Sequence, residues 1–202
     1  MDAMPSYSKS PSIASSAEQI LFELQVEQHH HDELYHREIA RLSLHGRLNH
    51  MALHFCKYTG KIGSNSDSAK LLAVCVDVLI IALSTANILN VKLWDIMENR
   101  GTRIFPGLLA YGRSLAAETD EDIASHSVLL RKTAIASGCI ASACEKIDHL
   151  EPISYRAEIQ QGISELARIA LSFISLSGVE PSQAVRDRLS SVKERLVLHN
   201  RI

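Results

Sequence analysis

Glycine and proline are scarce in this chain, nine and five among 202 residues, and several of them fall at breaks between long segments. No segment sustains a two-residue alternation, so a sheet-rich fold is excluded and helices are expected. Aromatic residues make up 5% and offer no stacking platform for bases. Charge of one sign is missing too: the net charge is −2 and lysine and arginine are scattered, which leaves no electrostatic footprint for nucleic acid. The four cysteines, Cys56, Cys75, Cys139 and Cys144, never fall in CxxC spacing, so neither a disulfide framework nor a zinc site is suggested. The N-terminal "MDAMPSYSKSPSIASS" lacks the apolar core of a signal peptide; residues 1–15 are predicted to be a disordered tail and the cytoplasm is the expected location. Residues 71–89 are long enough to span a bilayer. They carry Asp77, Ser84, Thr85 and Asn87 without aromatic anchors, so no membrane partner is expected. No Gly-rich phosphate loop, GxSxG elbow or Ser-His-Asp order is present.

What is present is an ordinary globular balance, 46% apolar and 22% charged, sufficient for one buried core. Residues 16–202 are expected to form a single all-α domain of two units, about 16–100 and 104–202. Ser15 and Ser16 before Glu18 and Gln19 resemble a capping box, opening a helix that runs to about His45, with a bend at Gly46. A second helix is predicted to stop at Gly60. Ser66 or Ser68 caps the next, over about 69–89, and a shorter helix follows at 93–99. Further helices are predicted at 108–117, at 120–149 capped by Thr119, from a cap at Ser154 to about Leu176, and from near Pro181 to about His199.

Asp77 poses the sharpest question, a carboxylate inside the aliphatic "CVDVLIIALS". An unpaired buried carboxylate costs several kcal/mol, so it must be paired, hydrogen-bonded or metal-bound. Laying 56–94 over 144–182 without a gap superposes "DVLIIALSTANILNV" on "ELARIALSFISLSGV". Asp77 then falls on Glu165, Val91 on Val179, Cys56 on Cys144, Ser66 on Ser154 and Ala69 on Ala157. Each unit reads as a helix hairpin, and two hairpins about a pseudo-twofold axis give a four-helix core like a fused homodimer. Such a pseudo-dimer leaves further homo-oligomerisation open. The second unit carries Glu145, Glu158 and Glu165 where the first has Lys57, Lys70 and Asp77. With Asp148, these carboxylates suit an all-oxygen Mg²⁺ or Mn²⁺ site, whereas in the first unit Lys57 or Lys70 is expected to neutralise Asp77. Solvated helix charge is the alternative for Glu145, Asp148 and Glu158.

The pattern resembles the MazG-like all-α nucleotide pyrophosphohydrolases, which include the dimeric-type dUTPases. There a helix carrying ExxE precedes one carrying ExxD, and the second runs on as an aliphatic segment into a short loop. "VDVLIIALSTANILNVKLWDIM" and "SELARIALSFISLSGVEPSQAV" look like two copies of that second helix and its exit, and "EKID" (145–148) stands where ExxE would be. In the ExxD slot Glu165 replaces the Asp and Gly162 the Glu; in the first copy Val74 replaces the Glu and Asp77 survives. The resemblance implies Mg²⁺-dependent cleavage of a nucleoside triphosphate, or another phosphorylated small molecule, with release of pyrophosphate. It implies one metal site from Glu145, Asp148, Glu158 and Glu165, with Glu145 and Glu165 catalytic; substrate contacts are expected from His50, His54, Lys57 and Arg156, with a solvated helix face the alternative for Arg156. A catalytically inactive nucleotide-binding or protein-interaction module is the alternative.

Ten histidines invite other readings. His50 and His54 lie one turn apart on a helix face and fit packing, substrate contact or metal. Glu33 and His36 have the i, i+3 spacing of di-iron bundles, but no second ExxH exists, which makes a His/Glu metal-dependent oxidase using Glu33, His36, His50 and His54 the remaining alternative. The run His29–His31 reads as a solvated surface, and His31–Asp32 alone as too short to define an HD-type phosphohydrolase. Arg131 and Lys132 read as a solvated helix face.

Overall fold

The computed structural model describes residues 16–98, 103–152 and 154–194. Among them are nine helices and no strand: α1 (Ala17–Tyr35), α2 (Arg37–Ala40), α3 (Leu44–Gly63), α4 (Ser68–Ile88), α5 (Leu93–Glu98), α6 (Leu108–Ala117), α7 (His126–Asp148), α8 (Tyr155–Leu176) and α9 (Pro181–Glu194). The class is all-α, as the sequence predicts. The tail 1–15 and the expected helix end at His199 lie outside the described residues.

Several boundaries differ from expectation for local reasons. Ser16 does cap α1, its Oγ accepting from the Gln19 N–H at 3.2 Å. That helix ends at Tyr35 rather than His45, because His36 leaves the helical region at φ −129°, ψ 41°. Gly46 is not a bend. It lies in the first turn of α3 and donates its N–H to the Ser43 cap at 3.1 Å. Gly60 does not stop α3, which runs on to Gly63. Asp67, not Ser66 or Ser68, caps α4: its Oδ1 accepts from Ala69 and Lys70 N–H at 2.8 and 3.1 Å. Ser154 occupies the cap position of α8 without a side-chain bond. Thr119 accepts the Glu121 N–H, but the chain turns again and α7 begins only at His126.

The core is four long helices. α3 packs on α4 and α7 on α8; between these hairpins, α3 packs on α7 and α4 on α8. α1 lies against α4 and α6 against α8, while α5 reaches across to α8 and α9 reaches across to α4. Helix α4 is long and apolar enough to cross a membrane, and 67% of its most apolar window is buried in this core. Leu79 and Leu83 of α4, and Ile163, Leu166 and Leu171 of α8, are fully buried, each worth about 1.5–3 kcal/mol.

Helices α4 and α8 end alike, as does α7 at Leu150 (φ 55°). Asn90 (φ 52°) and Gly178 (φ 75°) are left-handed, and both exits are Schellman turns. Asn90 N–H donates to Asn87 O and Val91 N–H to Ala86 O; 88 residues on, Gly178 donates to Ser175 O and Val179 to Ile174 O.

Burial sorts the thiols. Cys56 and Cys139 are exposed, whereas Cys75 and Cys144 are buried. Burial pushes the Cys75 thiol up to about 12 and also raises that of Cys144. At pH 8 the thiolate form that reacts is therefore scarce at both buried positions. A disulfide-exchange reagent is expected to label two cysteines fast and two slowly in the folded protein; three or four fast thiols would contradict this packing.

Candidate functional site

The buried stripe of α1 runs through Leu21, Leu24, Gln25 and Gln28. One further turn along the same stripe come His31 and Asp32, and they face a cleft of about 370 Å³ lined by α1, α2, α3, α4 and α9. Apolar walls come from Met51, Ile80, Ile81 and Leu189.

A ladder of buried amides holds this end of α1. Gln25 donates to Val91 O at 2.7 Å and accepts the Leu93 N–H at 3.0 Å, clamping the α4–α5 turn. Asn87 donates to Gln28 Oε1 at 2.9 Å, which orients the Gln28 amide to donate to Asp32 Oδ2 at 2.6 Å. The Ser84 hydroxyl donates to the same oxygen at 2.7 Å. Burial raises the Asp32 carboxyl, but the neighbouring His31 ring, Ser84, Gln28 and His36 together outweigh it and hold the group below its ordinary value. Asp32 is thus a fixed carboxylate whose Oδ1 faces His31, 3.9 Å from Nδ1.

His31, Asp32 and His36 each offer a ligand atom, all within 4.8 Å of one another, the one such group of three among the described residues. On an unbroken helix His31 and His36 would diverge by about 140°. The break at His36 folds the second ring back, to 5.5 Å from the first. The His31 side chain is 9% exposed, and neither of its ring nitrogens has a hydrogen-bond partner.

Across the cleft, α3 contributes His50 and His54. Lys57 Nζ lies 3.2 Å from His54 Nδ1, and because an ammonium only donates, His54 Nδ1 is assigned as acceptor. His54 Nε2 then donates to His50 Nε2 at 3.1 Å. Burial, then Lys57 and His50, push His54 down to about 4, and burial and Lys57 lower His50 as well. Both imidazoles are neutral at pH 7. In this arrangement both nitrogens of His54 are engaged, and His50 keeps its Nδ1–H free to donate to a phosphate oxygen.

Asp77 lines the same cleft and is paired, though not with Lys57 or Lys70 as expected. Arg188 of α9 grips it through both oxygens, Nε to Oδ1 at 2.6 Å and Nη2 to Oδ2 at 2.9 Å. The fork geometry of guanidinium suits a buried carboxylate better than a flexible ammonium does.

The acids of the second unit do not converge. Glu145 is exposed and faces His149 at 3.5 Å; Asp148 turns to α3, 2.7 Å from His45 Nε2; Glu158 lies 3.7 Å from Lys146. No three of Glu145, Asp148, Glu158 and Glu165 bring ligand atoms within 4.8 Å, so this set does not fit Mg²⁺ or Mn²⁺. Gly162 gives a physical reason. A Cβ there would sit 2.4 Å from Ile140 Cγ1, so a glutamate in the slot that the resemblance assigns to one would have to displace the Ile140 side chain. Glu158 and Glu165 line a more open groove of about 520 Å³ with Arg131, Lys132 and Lys146. Shifted by 88 residues, the cleft positions Met51, His54, Tyr58, Asp77 and Ile81 become the groove positions Cys139, Ser142, Lys146, Glu165 and Ile169.

Other residues named from the sequence resolve individually. Arg156 donates to Leu89 O at the C-terminus of α4 and does not line the cleft. Lys57 stands at the rim through His54 and the Tyr58 ring. Glu33 points outward to His29, so Glu33, His36, His50 and His54 do not form one ligand set, although the three histidines share the cleft. A second buried acid, Glu98, accepts from the Tyr111 hydroxyl at 2.6 Å and from Arg103, with Arg168 at 3.8 Å; it joins α5 to α6 and α8 and is fully satisfied. His31, Asp32, Ser84 and Arg188 are the cleft residues that sequence reasoning missed. For the first two the signal was the continued stripe of α1. Comparison with family models, curated proteins and solved structures finds no match.

Proposed function

We propose that this chain is a divergent MazG-like nucleotide pyrophosphohydrolase, two fused hairpin units in pseudo-twofold relation, with its working cleft in the first unit. Reciprocal packing supports the symmetry: α5 against α8 answers α9 against α4, and α4 and α8 leave by the same Schellman turn. The observation that carries the functional reading is the cleft, which gathers from α1, α3, α4 and α9 the groups a polyphosphate needs. Lys57 at the rim offers positive charge, Arg188 is held at the wall in its pair with Asp77, and neutral His50 offers an N–H donor. A bound divalent ion would supply charge neutralisation and an activated water. The chain's own part is to fix Asp32 through Ser84 and Gln28, to hold His54 neutral beside Lys57, and to keep Arg188 at the wall through Asp77. Ile80, Ile81 and Leu189 exclude bulk water from one side.

Pyrophosphate release from a panel of nucleoside triphosphates with Mg²⁺, Mn²⁺ or Co²⁺ tests the reading. Release from at least one nucleotide is expected. Saturable nucleotide binding without release would leave the non-catalytic module; absence of both would end the nucleotide reading. A metal-dependent oxidase is the second reading, favoured by His36, His50 and His54 lining the same cleft. Oxygen consumption by iron-loaded protein separates it from the hydrolase.

A further inference from the structure

The geometry points to a metal site of a different kind from the all-carboxylate one: His31, Asp32 and His36 bind one divalent ion of the borderline transition series, such as Zn²⁺, Co²⁺ or Fe²⁺, with open positions facing the cleft. It rests on the hydrolase reading only in supplying that site's cofactor; the ligand set stands on its own geometry.

Three observations carry it. The donor atoms already lie within 4.8 Å of one another without rearrangement of the backbone, because the helix break returns His36 to His31. The His31 imidazole is buried and neither nitrogen makes a hydrogen bond, Asp32 Oδ1 standing off at 3.9 Å from Nδ1, a gap that an ion held by both would close. Asp32 is anchored by Ser84 and Gln28 on one oxygen, the outer support that orients a ligating carboxylate and leaves the other oxygen toward His31. Two imidazoles with one carboxylate are a poor match for Mg²⁺ or Ca²⁺, which prefer oxygen alone, and a good match for iron, cobalt or zinc. Three protein ligands leave room for water or substrate, as catalytic centres require. Binding needs neutral imidazoles and would release whatever protons the histidines carry.

The test uses the full chain, stripped with chelator and titrated with Co²⁺ and Zn²⁺ in the absence of nucleotide. Expected is one Co²⁺ per chain with visible ligand-field bands, displaced by Zn²⁺ and unaffected by excess Mg²⁺. His31→Ala, Asp32→Ala and His36→Ala should each weaken binding by more than the about 10- to 100-fold expected of Ser84→Ala, which removes only an outer support. The double variant His29→Ala/His30→Ala should bind as wild type. Binding that vanishes with that double variant and survives His31→Ala would mark the exposed histidine run as an adventitious chelator and overturn the proposal. X-ray absorption on the wild-type Co²⁺ complex needs no variant to fold: two imidazoles are expected, and an all-oxygen shell, or no bound cobalt, overturns the site. A confirmed ligand set without pyrophosphate release would sink the hydrolase reading alone. Release supported by Mg²⁺ without any Co²⁺ site would sink the ligand set alone.

Discussion

Gly112→Ala is expected to lower stability by about 2–3 kcal/mol, near the upper end of overpacking costs. Gly112 is where α6 meets α8 most closely. A Cβ would sit 2.1 Å from Ser175 Oγ, 2.5 Å from Leu171 O and 2.8 Å from Ser175 Cβ. The serine oxygen could rotate away, but the carbonyl belongs to the helix backbone. The whole of α6 must therefore back off from the most buried helix in the fold. Alanine's better helix propensity returns about 1 kcal/mol at most, which does not offset the displacement. Thermal denaturation should show a drop of about 5–10 °C for a chain of this size. Gly60→Ala is the control: nothing lies within 4 Å of the position its methyl would take, so the same propensity gain should emerge as a small stabilisation. Equal effects at the two glycines would mean that α6 and α8 do not approach as described.

Arg188→Met should cost about 3 kcal/mol, because removing one partner strands a buried charge. The Asp77 side chain is 9% exposed and the Arg188 side chain 30% exposed, so water can reach the arginine more easily than the acid it would abandon. For that reason the lower end of the buried-pair range applies. The double replacement Asp77→Leu/Arg188→Met removes both charges and should recover most of the loss, since apolar pairs often replace buried ion pairs without penalty. Urea denaturation of the two single variants and the double variant gives the coupling directly. Additive losses would show that the pair does not act as a unit, and that Lys57 or another cation satisfies Asp77 instead.

The sequence was legible where local rules dominate. Scarce glycine and proline and helical periodicity indicate the helix class. The Schellman exits could be anticipated from Val91 over Val179, with Asn90 and Gly178 before them. Legibility failed where a long-range contact decided the outcome. Asp77 announces the need for a cation, but Arg188 lies 111 residues away and no pattern singles it out from other surface arginines. His36 ends α1 without a proline or glycine, so the break that brings it to His31 has no sequence marker. The run His29–His31 reads as uniform surface, yet the 3.6-residue period puts only its last member on the buried stripe; His29 and His30 are exposed. Glu145 and Asp148 were expected to face their hairpin partner, whereas the α7–α8 seam is filled by Ile140 and Ala136 against Gly162, which pushes the acids to its margins.

Which hairpin works is decided most directly by two variants assayed together for metal-dependent pyrophosphate release: Asp32→Asn in the histidine cleft and Glu165→Gln in the sister groove. Release is expected to collapse in Asp32→Asn and to persist near the wild-type level in Glu165→Gln. The opposite pattern, with Glu165→Gln silent and Asp32→Asn active, would contradict a first-unit site and return the chemistry to the second.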